Sequence, residues 1–216
     1  MRGRIAAACG ATGRDPASVV LIGASKKQPI EALLAAVEAG VPDLGENYVQ
    51  EWQGKVDALG DAPIWHFIGH LQRNKAKHLA PRIDAVHGIT DARTAEALGR
   101  RALALGRIVP VLLEVDLAGE ASKSGLPADD VPRLLAETAS LEGVQVQGLM
   151  TVPPDAGLAD ARRHFAALRR LRDALATAER PLPWLSMGMS GDFDAAIAEG
   201  ATHVRVGTAL FGPRPG

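Results

Sequence analysis

The residues best able to do chemistry are a lysine pair and two glycine-rich turns. Ser25-Lys26-Lys27 closes an apolar run that begins at Val19. Side chains alternate across a strand, so Val20, Ile22, Ala24 and Lys26 share one side, with Val19, Leu21, Gly23 and Ser25 on the other. If the even row faces inward, Lys26 is the lysine that follows it, above the small Ala24. A lysine in a semi-apolar mouth loses proton affinity and can attack a carbonyl to form a Schiff base. A pair that merely solvates a strand end is the bland alternative, because surface lysines are common. Late in the chain, Trp184 to Gly191 (WLSMGMSG) runs into DFDAAIAEG, which reads as a helix. That turn aims Ser190, Gly191 and backbone N–H groups at one point beside a helix N-terminus, the geometry of an anion site. In His203-Val204-Arg205-Val206-Gly207-Thr208, Gly207 and Thr208 offer a second close-approach turn with a hydroxyl. Arg205 falls on the row of His203 and Gly207, opposite Val204 and Val206. A buried arginine needs an acceptor; an acid such as Glu114 would serve, and so would the ring nitrogen of a pyridine cofactor.

Other reactive residues carry less. His66 and His70 have i, i+4 spacing but fall on a strand and the turn after it, which does not make a metal site. Tyr48 lies beside the second strand and reads as structural. Lys123, in a glycine-bounded loop after the fifth strand, is either a solvated loop lysine or a secondary contact for the ligand of the same mouth. Arg73, Lys75 and Lys77 read as one exposed basic helix face. The single cysteine, Cys9, excludes an internal disulfide and suits a reducing compartment. With 24 Lys plus Arg against 25 Asp plus Glu the net charge is -1, which gives no overall field for nucleic acid or acidic membranes. No apolar run approaches the ~18 residues of a transmembrane helix, and the start, MRGRIAAACG, reads as a short first helix of a cytoplasmic protein.

These residues are positioned by a recurring rhythm of apolar run, turn and helical stretch. The runs are Val19 to Ser25, Pro42 to Glu46, Ile64 to Gly69, Asp84 to Ile89, Val109 to Leu117, Val144 to Val152, Trp184 to Ser190 and His203 to Gly212. Helical stretches such as 29–40, 91–106, 128–143 and 158–179 lie between them, the last with a Leu/Phe/Ala stripe suited to core packing. Eight strands alternating with helices predict a parallel α/β sheet, and eight is the number that closes a (β/α)₈ TIM barrel, here one domain over 1–216. An open doubly wound sheet is the alternative, but the first turn, GASKKQPIE, lacks the G-x-G-x-x-G pattern of its dinucleotide-binding version. In a barrel, both glycine-rich turns and the lysine lie at C-terminal strand ends, where sites form.

Beyond the pattern, GENYVQE (Gly45 to Glu51), WHFIGHLQRNKAK (Trp65 to Lys77), GEASKSG (Gly119 to Gly125), GLMTVPP, LSMGMSGDFDAAIAEG and VRVGTALFG closely resemble the pyridoxal phosphate homeostasis protein family. That family resembles the N-terminal barrel of alanine racemase. The resemblance runs from about Arg4 to Gly212. It implies a single fold-type III barrel binding pyridoxal 5'-phosphate, with Lys26 as the Schiff-base lysine. Ser190, Gly207 and Thr208 would hold the phosphate, Arg205 would face the pyridine nitrogen, and Asn47 would line the ring pocket. An arginine there keeps that nitrogen unprotonated and makes the cofactor a poor electron sink. The implied role is buffering or delivery of pyridoxal phosphate without turnover, by a monomer whose further partners are pyridoxal-phosphate-dependent apoenzymes. The rival is an amino-acid racemase of the same fold. Racemisation needs a second acid/base, which racemases take from a C-terminal domain, and this chain is expected to lack one because it stops just after its last strand.

Overall fold

Parallel strands buried on both faces need apolar residues on both rows, and the short Val/Ile/Leu runs supply them. The computed structural model describes residues 1–119 and 124–213. Its strands are β1 (Val20–Ala24), β2 (Asp43–Glu46), β3 (Ile64–Phe67), β4 (Ala85–Ile89), β5 (Val109–Asp116), β6 (Leu126–Pro127), β7 (Val144–Met150), β8 (Trp184–Ser186) and β9 (His203–Val206). They run in the order β4-β3-β2-β1-β9-β8-β7-β5, and β4 pairs with β5 to close the ring. Every pairing is parallel. The two-residue β6 is a stub on the end of β5, pairing Leu126 with Val115. The expected eight-stranded barrel is therefore the observed one.

The helices are α1 (Arg2–Gly10), α2 (Ile30–Glu38), α3 (Val49–Leu59), α4 (Arg73–Leu79), α5 (Ala92–Leu103), α6 (Val131–Thr138), α7 (Leu158–Leu175), α8 (Phe193–Ala198) and α9 (Thr208–Phe211). The stripe on α7 buries Ala161, Phe165 and Leu168. At the start of α5 the carboxylate of Asp91 accepts the Thr94 N–H at 2.9 Å, which satisfies one of the free donors of a helix N-terminus. Arg14 ties the region before β1 to the far end of the chain, donating to the carbonyls of Ile197 and Ala201 at 2.8 Å each.

Most runs end within two residues of the expected end, but two stop well short of it. The strand from Trp184 stops at Ser186 because Gly188 turns the chain at φ 93°, a conformation side chains rarely adopt. The run from His203 does not extend to Gly212. It ends at Val206, and Thr208-Ala-Leu-Phe211, made of helix-compatible residues, winds the short α9 instead.

The alternation has a chemical consequence. Val111, Leu113 and Val115 of β5 join the apolar layer shared with the helices, while Leu112 and Glu114 occupy the other face. Val204 and Val206 join the same outer layer, whereas His203 and Arg205 do not. Barrel interiors are usually filled by branched apolar layers. This one also buries His66, His87, Ser186, His203 and Arg205.

Candidate functional site

The C-terminal strand ends open into a cavity of about 360 Å³. Lys26, Asn47, Ser190, Arg205, Gly207 and Thr208 all line it, joined by Gln28, Ile68, Val152 and Met189. Ile22 pairs in register with Arg205, and Ile22 meets Ile68 over Gly45 inside the barrel. The even row of β1 is therefore the inward one, and Lys26 continues it.

One half of the mouth is made of backbone. The turn 188–191 follows β8, and Gly207-Thr208 follows β9. The N–H groups of Ser190, Gly191, Gly207 and Thr208 have no acceptor among the described residues. A Cβ built on Gly207 would meet only Ala24, at 3.6 Å, and one on Gly191 would meet nothing within 4 Å. These glycines thus leave room beside the unbonded donors. Ser190 Oγ bridges the two turns by accepting the Ala209 N–H at 3.3 Å, and Asp192 fixes the first turn by accepting the Met189 N–H at 2.6 Å.

The lysine half is held by charge. Lys27 sits at φ 59°, so the chain turns sharply just after Lys26. The Lys27 N–H donates to Glu51 Oε1 at 2.5 Å. Lys55, buried on α3, donates to the Ser25 carbonyl, to Glu46 Oε2 and to Glu51 Oε1, each at 2.6 Å. An ammonium has three protons, and all three are used. Glu46 Oε1 then accepts the N–H groups of Asn47 and Tyr48 at 2.6 and 3.3 Å. A fully bonded ionic cluster thus fixes both the turn that presents Lys26 and the loop that presents Asn47. Partial burial works against the Glu51 charge, but Lys55 and the Lys27 N–H prevail and hold the carboxyl below its ordinary value.

Arg205 is gripped from below. It donates to Ser186 Oγ at 2.5 Å and to the Thr151 carbonyl at 2.9 Å. Burial lowers its pKa to about 10, against the pull of Glu114 and Asp192, so it is cationic at neutral pH. The direct ion pair to Glu114 that the sequence allows does not form. Glu114 takes the Ser124 hydroxyl at 3.0 Å and acts on Arg205 at longer range. Its other oxygen has no partner among the described residues, and burial raises its pKa.

Tyr48, which the sequence reads as structural, stands beside Lys26. It is 51% exposed, with Lys26 Nζ 4.7 Å from its ring centroid. His70 is exposed beyond β3 while His66 is buried inside the barrel, so the two do not converge. Among the described residues no group of His, Cys, Asp and Glu is placed to hold a metal ion, and no helix is long and apolar enough to cross a membrane. Lys123 lies outside the described residues. Sequence reasoning missed Glu46, Glu51 and Lys55, although Glu51 and Lys55 stand four apart on α3, the spacing of a helical ion pair. It also missed His87 and Ser186.

A closed parallel barrel with a lysine after its first strand and unbonded backbone N–H groups after its last two defines the class. The family model for the N-terminal domain of alanine racemase matches residues 23–215. The chain is 44% identical, over 98% of its length and 91% of the other, to the pyridoxal phosphate homeostasis protein of Pseudomonas aeruginosa. It is 42% identical to that of Aquifex aeolicus, over 98% and 94%. The chain belongs to the pyridoxal phosphate homeostasis protein family. Among solved structures, PipY of Synechococcus elongatus PCC7942, determined with PLP bound and without it, superposes with a TM-score of 0.85 at 37% identity, covering 98% of this chain and 99% of PipY.

Proposed function

We propose that this protein binds pyridoxal 5'-phosphate at the mouth of its barrel and buffers or delivers it, as a cytoplasmic monomer, to apoenzymes that use it. The observation that carries the reading is convergence. A lysine, four free backbone N–H groups, two hydroxyls and a cationic arginine line one cavity. The cavity fits the group. The open space at Gly191 and Gly207, ringed by N–H donors, suits a dianion, and the cationic Arg205 suits a ring nitrogen. When bound, the cofactor supplies an aldehyde for reversible covalent attachment and a ring able to withdraw electrons.

In this reading Lys26 is the attaching amine. Ser190, Gly207 and Thr208 hold the phosphate, Asn47 borders the ring, and Arg205 donates to the ring nitrogen. Arg205 cannot act as a proton acceptor, so it keeps that nitrogen unprotonated and the ring a weak electron sink. This supports storage and delivery over turnover, as do the names of the relatives. The test is a titration of purified protein with pyridoxal 5'-phosphate and with pyridoxal, run beside an alanine racemisation assay. The phosphorylated aldehyde should give a saturable visible band, pyridoxal should give little at the same concentration, and alanine should not racemise above the free-cofactor rate. Equal affinity for the two aldehydes would overturn the phosphate assignment, and Lys26-dependent racemisation would overturn the carrier role.

A further inference from the structure

The binding reading does not use the histidines inside the barrel, yet two of them stand in an unbroken line to Arg205. His66 Nε2 lies 3.0 Å from Asp43 Oδ1, and His66 Nδ1 lies 3.0 Å from His87 Nε2. His87 Nδ1 lies 2.8 Å from Ser186 Oγ, which receives Arg205 at 2.5 Å. The ends dictate the direction. A guanidinium only donates and a carboxylate only accepts. With both rings neutral, Asp43 as a pure acceptor fixes the order: Ser186 Oγ accepts from Arg205 and gives its own proton to His87 Nδ1. His87 must then carry its proton on Nε2 and donate to His66 Nδ1, and His66 must carry its own on Nε2 and donate to Asp43. Both rings then share one tautomer, with the proton on Nε2. Burial agrees, keeping His87 well below the ordinary imidazole range, with the charge of Arg205 and the neighbouring His66 and His203 acting the same way.

We propose that Asp43, His66, His87 and Ser186 form a one-way hydrogen-bond chain whose task is to position Arg205 for the ring end of the bound cofactor. The chain joins Asp43, the first residue of β2 at the closed end of the barrel, to the mouth. Bonds aligned donor to acceptor polarise and strengthen one another. Ser186 is therefore a better acceptor for Arg205 than an isolated hydroxyl, and with the Thr151 carbonyl it fixes the plane of the guanidinium. Asp43, His66, His87 and Ser186 are positioning residues, since only Arg205 reaches the cavity.

This inference rests on the proposed function for the identity of the ligand, whereas the tautomers belong to the unloaded protein. Long-range ¹H–¹⁵N NMR of unloaded protein, assigned with His66→Gln and His87→Gln, should show His66 and His87 both protonated on Nε2 at pH 7. Cofactor titration should then show Ser186→Ala weakened about tenfold or more, the cost of loosening one bond to a charged group. Competition by inorganic phosphate should stay within about twofold of wild type, and Ser186→Thr, which restores the hydroxyl, should recover the loss. A merely structural role would weaken both ligands together. An Nδ1–H tautomer at either histidine, or wild-type cofactor affinity in Ser186→Ala, overturns the proposal. Should the wild-type protein take up no cofactor, the functional reading fails, and the tautomers alone decide whether the chain runs as stated.

Discussion

The two halves of the mouth are built by opposite means. The cradle after β8 and β9 consists of backbone N–H groups and glycines, with side-chain bonds confined to pinning the turns. The lysine half consists of side-chain charges, with Lys55 joining the β1 turn to Glu46 and Glu51. The difference teaches where each half is vulnerable. A backbone cradle is damaged by adding atoms and is indifferent to charge. An ionic cluster is damaged by removing one charge, because the partners stay buried without compensation.

The largest effect should come from filling the cradle. Gly207 has a negative φ of -104° and a Cβ would meet only Ala24, so Gly207→Val should fold with little loss of melting temperature. In the proposed site its side chain would displace the phosphate from at least two N–H groups worth roughly 1.5–3 kcal/mol each. Affinity for pyridoxal 5'-phosphate should fall by at least about a hundredfold in a titration. Lys55→Met should do the reverse, acting first on stability. Breaking a buried pair costs about 3–5 kcal/mol, and denaturant unfolding should show it. Neutralising the acid too, in Glu46→Gln with Lys55→Met, should recover part of the loss; no recovery would mean that packing, and not charge, holds the turn.

These two halves differed in how far the sequence disclosed them. The cradle was legible because its parts are neighbours in the chain: Ser190 with Gly191, and Gly207 with Thr208. Lys26 was legible through strand alternation. The cluster was not, since Lys55 reaches a carbonyl thirty positions away and its use depends on how α3 lies against β1 and β2. The eight-strand rhythm gave the barrel, but the strand ends after Ser186 and Val206 are set by glycine turns that hydropathy does not separate from strand. Histidines at inward positions of IWHF, AVHGI and HVRV were visible as residues, while their meeting needed the barrel to close.

A smaller effect follows from that interior. Burial lowers the His203 pKa to about 3, with His66 and Arg205 adding to it, and depresses His87 in the same direction. The unfolded chain binds these protons near pH 6.5, so the stability is fully present above 6.5 and is lost as pH falls toward 3. The slope is about 1.4 kcal/mol per pH unit for each group. At pH 5 His203 alone should cost roughly 2 kcal/mol, and His203→Phe should flatten the dependence of unfolding free energy on pH. The smallest effect lies away from both halves. Asp91→Ala removes the cap of α5 and should cost about 1 kcal/mol of stability with cofactor affinity unchanged. A matching loss of affinity would mean that scaffold and site are coupled, and that the contrast between the halves is too simple.

The central claim is that Lys26, and no other lysine, carries the cofactor. Borohydride reduction of the loaded protein followed by proteolysis and mass spectrometry reads this directly. The account predicts one pyridoxyl-modified peptide with the label on Lys26. A label on Lys27 or on Lys123 in the wild-type protein would contradict it.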